Sequence, residues 1–145
     1  MKVKRIDKSL PLPAYATKGS VGLDTYVRED RVVLPGEYEL IPLNLIIQAP
    51  EGTFIGVLPR GSTFKKTRLA LANELGVVDR DFAGPNDEIC AFVHNTSQQK
   101  VYVHKGDRLF QLIIFNCETP KIEEVDGDLQ EYSRGMHGST GEGRL

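Results

Sequence analysis

The chain is poor in the features that mark a secreted scaffold, a membrane protein or a nucleic-acid binder. Its two cysteines, Cys90 and Cys117, are too few for a disulfide framework. Both lie in apolar runs and read as buried thiols. Two cysteines and three distant histidines make no credible zinc site. A net charge of -2 withholds the basic face that a broad nucleic-acid footprint needs. Phosphate binding must therefore come from a few placed arginines and backbone amides. No run of residues approaches transmembrane length, and Met1-Lys2-Val3-Lys4-Arg5-Ile6-Asp7 lacks the apolar core of a signal peptide. The expectation is a protein of the cytoplasm or a similar reducing compartment, with no membrane and no nucleic acid among its partners. There is no internal repeat and no linker, so residues 1–145 are expected to form one domain.

What is present is β-rich. Val32-Val33-Leu34 stops at Pro35-Gly36, and Tyr38 to Ile47 is apolar and β-branched. Thr53 to Leu58 stops at Pro59, and further runs cover Glu88–Val93, Val101–Val103 and Leu109–Phe115. Short runs separated by turns about every 8–12 residues predict an all-β sandwich or barrel. One segment departs from alternation: Ser62-Thr63-Phe64-Lys65-Lys66-Thr67 predicts a short helix near 62–69, capped by Ser62. From about Glu118 the chain turns polar and ends in glycines, a tail either disordered or ordered by a ligand.

The richest stretch is Asn73 to Gly84, which reads as two apolar runs folded back on a polar turn. It sets Asp79 at the lip of a hairpin, between the amide of Asn73 and the ring of Phe82. Aspartates at 79 and 81 are also ordinary turn residues. Pro59-Arg60-Gly61-Ser62-Thr63 puts an arginine and hydroxyls at a helix start, a geometry suited to anions or simply a surface arginine beside a cap. Arg108 and Gln111 stand three apart, so on a regular strand they face opposite sides. Gly22-Leu23-Asp24 either sets a carboxylate near a metal or forms a turn. In the tail, Arg134, Gly138, Ser139 and Thr140 supply a charged fork, close backbone approach and hydroxyls, either as a phosphate cradle or as a solvated terminus. His137 either stacks on a flat ring or stands in solvent. No Gly-Lys-Ser/Thr follows a strand, so this is not a P-loop.

Order makes these features specific. Gly-x-Asp at 22, Pro-Arg-x-Ser at 59, Gly-Val-Val-Asp-x-Asp-Phe at 76, Gly-Asp-Arg-x-x-Gln at 106 and Arg-Gly…Gly-Ser-Thr-Gly at 134 resemble the five ordered motifs of trimeric dUTP pyrophosphatases. The resemblance runs from Gly22 to Gly141. It implies a distorted jelly-roll-like β-barrel (a β-clip) assembled as a homotrimer with active sites shared between subunits. It implies hydrolysis of dUTP to dUMP and pyrophosphate with Mg²⁺, which limits uracil incorporation into DNA and supplies dUMP for dTMP synthesis. Asp79 matches the acid that activates the attacking water. Asn73 and the backbone around Gly76 match the uracil contacts, and Phe82 the ring that packs on the sugar and excludes ribose. Arg60, Gly61 and Ser62 fall in the phosphate-binding second motif. Gln111 lies near the phosphates and Arg108 beside it in the fourth motif, at the subunit interface. Asp24 supports the metal through water. Arg134, Gly138, Ser139 and Thr140 would clamp the terminal phosphates, with His137 in the place of the aromatic that caps uracil.

The chain departs from that pattern at several points. Phe82 stands for the usual tyrosine, Gly61 for a serine that contacts phosphate, and His137 for an aromatic. The tail motif is about two residues short, and Gly84-Pro85-Asn86-Asp87-Glu88 resembles a short insertion. Two alternatives are weighed. A dCTP deaminase, or a bifunctional deaminase, places a catalytic glutamate three residues before the asparagine ending the next strand. With Asn95 as that asparagine the position holds Phe92, and Glu88 lies four residues too early. A nucleotide-sensing relative without turnover is opposed by the intact Asp79 and by the Gly-Ser-Thr-Gly tail.

Overall fold

The computed structural model describes residues 1–133. Eleven strands and one short helix make up its regular structure, so the all-β expectation with a single helix holds. The strands are β1 (Lys2–Arg5), β2 (Leu23–Asp24), β3 (Arg31–Val33), β4 (Tyr38–Pro42), β5 (Leu45–Gln48) and β6 (Thr53–Pro59). After helix α1 (Thr63–Thr67) come β7 (Leu69–Leu71), β8 (Gly76–Val78), β9 (Cys90–Asn95), β10 (Val101–Val103) and β11 (Phe110–Asn116). Four sheets wrap one core, in the orders β1-β5, β10-β3, β2-β11-β6-β8 and β4-β9-β7. Every strand pair is antiparallel. The described strands form no closed barrel.

Alternation explains which side faces in. On β9, Ala91, Val93 and Asn95 are buried while Phe92 is exposed and stacks on Tyr38 of β4, ring centroids 5.6 Å apart. Ile41, Ile55, Val57, Phe110 and Leu112 join Val93 in the core, each at most 1% exposed. Burying such a side chain contributes about 1.5–3 kcal/mol. Asn95 sits among them without loss, because its amide donates to the Val33 and Gln99 carbonyls while its oxygen accepts from Ser97.

The predicted run from Tyr38 to Ile47 is two strands in two different sheets. The break is Asn44, buried and in the left-handed region at φ 65°. Its side chain holds the loop after β1, accepting from the Asp7 amide (2.6 Å) and donating to the Asp7 carbonyl (2.9 Å). Its own amide donates to Glu88. Both Glu88 oxygens in turn accept the Arg28 Nε–H, at 2.8 and 3.1 Å, which raises the Arg28 pKa. The cysteines are half-buried rather than buried. Burial, then the charge of Glu88, pushes the Cys90 thiol up to about 11.

Asp7 also carries an ion pair with Lys105. That hydrogen-bonded ammonium, with Ser9, holds the Asp7 carboxyl below the usual carboxylate range. A depressed folded-state pKa means stability that is present above the unfolded value and lost as pH falls through the folded one. The thermal midpoint of the protein should therefore fall on acidification below about pH 4, the unfolded value. It should fall less for Asp7→Asn, and equal slopes in melts from pH 5 to pH 2.5 would refute this.

Candidate functional site

Three elements converge on one cleft. Antiparallel pairing sets Gln111 of β11 opposite Asp24 of β2, and Phe110 opposite Pro59, the last residue of β6. Arg60 therefore leaves β6 beside both. Its Nε lies 2.9 Å from Asp24 Oδ1, and its Nη1 donates to the Arg108 carbonyl at 3.1 Å. Arg108 Nη1 approaches the other Asp24 oxygen at 3.7 Å. The three side chains together keep one net positive charge. Three of the five guanidinium N–H donors of Arg60 remain for a ligand. The cleft encloses about 490 Å³ and includes Gly61 and Ser62.

The positions of Arg108 and Gln111 resolve the alternation problem. Strand β11 begins at Phe110, so Arg108 lies outside it and its guanidinium reaches Asp24, the residue that Gln111 pairs with across the sheet. Gln111 packs so closely on Gly22 that a Cβ there would sit 2.0 Å from its Oε1. Its Nε2 donates to the Pro59 carbonyl at 3.1 Å, which fixes the amide. Ser62 precedes α1 but its side chain makes no capping bond, contrary to expectation. Instead the Thr63 hydroxyl donates to the carbonyl of Leu109, the residue just before β11, and ties the helix to that segment. With five helical residues, α1 is also shorter than predicted, and it turns back at Arg68 in the left-handed region.

The second group lies on β8. Glu74 at φ 58° and a tight contact from the Leu75 amide to the Asn73 carbonyl (2.5 Å) turn the chain into the strand. Gly76 lies against Val57, where a Cβ would approach to 2.9 Å, and the Asn73 Nδ2 is 3.6 Å from that same point. Past Val78, a turn closed by the Phe82 amide on the Asp79 carbonyl (3.2 Å) presents Asp79 and Phe82 to solvent. The predicted hairpin has only its first strand: residues 82–84 form none, and Asp87 instead accepts from the Gly84 amide at 2.6 Å. Asp81 is a turn residue, as read.

One chain does not unite the two groups. Strands β2 and β8 are opposite edges of the four-stranded sheet, three spacings or about 14 Å apart. Along β6, Val78 pairs with Ile55 while Arg60 lies five residues further on, about 17 Å at 3.3 Å per residue. Arg134, His137, Gly138, Ser139 and Thr140 lie outside the described residues. The motif reading missed the second wall of the cleft, formed by Ala16, Gly19, Ser20 and Val21. Its only signal was the Gly19-Ser20 turn just before Gly22. Among the described residues no three His, Cys, Asp or Glu side chains gather as a metal cage. Phe92, at the position a deaminase would need for its acid, offers only a ring to Tyr38.

The dUTPase family model matches residues 8–141. Among curated proteins, the deoxyuridine 5'-triphosphate nucleotidohydrolase of Corynebacterium glutamicum is 35% identical over 144 residues, covering 97% of this chain and 94% of that protein. The enzyme of the same name from Finegoldia magna is 38% identical over 145 residues, covering 97% and 99%. Among solved structures, the dUTPase from Streptococcus mutans superposes with a TM-score of 0.76 at 25% identity, covering 83% of this chain and 99% of that one. With the motif order, the cleft and the fold all in agreement with these matches, this chain belongs to the dUTPase family.

Proposed function

We propose that this protein hydrolyses dUTP to dUMP and pyrophosphate. The observation that carries the reading is the cationic cleft of Asp24, Arg60 and Gln111 in a chain of the dUTPase family that keeps Asp79. Arg60, with Gly61, Ser62 and Gln111, would hold the phosphates, and Arg108 would share the load on Asp24. Asn73 and the backbone at Gly76 would read uracil, with the Phe82 ring on the deoxyribose. Asp79, exposed at its turn, would polarise the water that attacks the α-phosphorus. Stabilisation of the developing charge falls to the guanidinium of Arg60 and to backbone amides. Arg134, Gly138, Ser139 and Thr140 would close on the terminal phosphates and His137 on the base.

The separation of the two groups in one chain supports a homotrimer in which one copy supplies Asp79 and its neighbour the cleft. A divalent cation, Mg²⁺, would find one carboxylate in the cleft, Asp24. Both Asp24 oxygens already face guanidinium groups, so Asp24 would hold it through water while substrate oxygens complete the shell. Bound there, the ion supplies charge neutralisation for the triphosphate. We read residues 1–145 as one dUTPase-like domain with a C-terminal tail at about 130–145. No helix among the described residues is long and apolar enough to cross a membrane. Cytoplasm, or the nucleus in a eukaryotic or viral setting, is the compartment we propose.

Incubation with dUTP and Mg²⁺ should release dUMP and pyrophosphate in equal amounts, while dCTP yields no ammonia. Ammonia from dCTP, or bound dUTP without pyrophosphate, would favour the deaminase or the sensing relative instead.

A further inference from the structure

The phosphate cleft has a second wall, and one residue in it is chemically poised. Of Ala16, Gly19, Ser20, Val21 and Gly22, which line that side, only Ser20 carries a polar side chain. A hydroxyl has one proton to donate and two lone pairs to accept with. The Thr17 amide donates to Ser20 Oγ at 3.0 Å, and the Thr17 hydroxyl lies 2.9 Å from the same oxygen. The Ser20 amide closes the turn on the Thr17 carbonyl at 3.2 Å. If the Thr17 hydroxyl donates, both lone pairs of Ser20 are filled and its proton is left over. Polarisation along such a chain strengthens the last donor.

Across the cleft, Gly61 supplies no side chain, and a Cβ built there meets nothing within 4 Å. Position 61 therefore has room for a hydroxyl that it lacks, and the only hydroxyl on the wall that carries Arg60 is that of Ser62. We propose that Ser20 binds the nucleotide directly, donating its proton to a phosphate oxygen, with Thr17 orienting it. In this chain the loop wall takes over the hydroxyl contact that position 61 leaves open. This rests on the reading that the cleft takes the triphosphate of dUTP.

The test uses the full chain. Wild-type turnover of dUTP is measured first, and its absence would overturn the underlying reading rather than the role of Ser20 alone. Given turnover, Ser20→Ala should lower kcat/KM for dUTP about 10- to 100-fold, the effect of one hydrogen bond to a charged group. Ser20→Thr, which keeps the hydroxyl, should stay within about threefold of wild type, well inside that loss. Inhibition by deoxyuridine, which has no phosphate, should be unchanged. Gly61→Ser in the Ser20→Ala background should recover much of the loss. Should Ser20→Ala fail to fold, Ser20→Cys keeps the shape with a weak donor and should show the same loss. A kcat/KM within twofold of wild type for the alanine or cysteine variant, a parallel loss of deoxyuridine binding, or no recovery with Gly61→Ser would overturn the proposal.

Discussion

Asp79→Asn should lower dUTP turnover by about 10²–10⁴-fold, the range of general-base assistance, while dUTP still binds. The exchange keeps the side chain's size and removes its basicity. Asp79 is exposed on a turn held by backbone, the Phe82 amide on its own carbonyl, so the thermal midpoint should not move. Turnover and binding then separate: pyrophosphate release falls by that factor, and titration calorimetry shows the affinity for dUTP kept. Retained turnover would remove Asp79 from the chemistry. Loss of binding would make it a ligand contact instead.

The second large effect tests how the two groups meet. Arg60→Ala should depress kcat/KM by about 10²-fold or more, because it removes the forked donor and leaves Asp24 facing only Arg108 at 3.7 Å. Arg60→Ala and Asp79→Asn refolded together in equal amounts should be far more active than either alone. If each site takes Asp79 from one copy and Arg60 from its neighbour, random assembly restores about a quarter of the sites. A mixture no more active than its parts, with mixed trimers confirmed by native mass spectrometry, would mean that both residues serve one chain's site.

Much of the fold was legible because local rules decided it. Val101–Val103 is a strand with the expected bounds, and β3 ends at its paired Val33, with Leu34 between it and the Pro35-Gly36 turn. The two errors in strand layout sit where a distant residue intervenes. Pro42 and Asn44 flank Leu43 inside an apolar run that otherwise reads as one strand; Asp7, on another strand's loop, fixes the break there through Asn44. The second half of the hairpin around Asp79 is apolar enough to pair, but the Asp87 carboxylate takes the Gly84 amide and leaves β8 at the sheet edge. At the site, the order of short motifs identified the residues. Their division into two places came from the pairings β2–β11 and β6–β8, which join residues far apart in sequence. Ser20 escaped notice because one hydroxyl in a glycine turn looks like any other until Thr17 is seen to bond it through both its amide and its hydroxyl.

Gly22 has a genetic corollary. The amide of Gln111 fills the space where a side chain at position 22 would begin, to within 2.0 Å. Every missense change at that codon adds a β-carbon, so none is silent to the cleft. Each must swing the Gln111 amide off the Pro59 carbonyl, which displaces the one amide side chain in the cleft. A random-mutation screen scored on dUTP turnover should therefore find position 22 intolerant even of alanine. Gly61, whose space is open, should accept small residues. Two glycines of one cleft thus predict opposite mutational tolerance, set by what occupies the volume each leaves vacant.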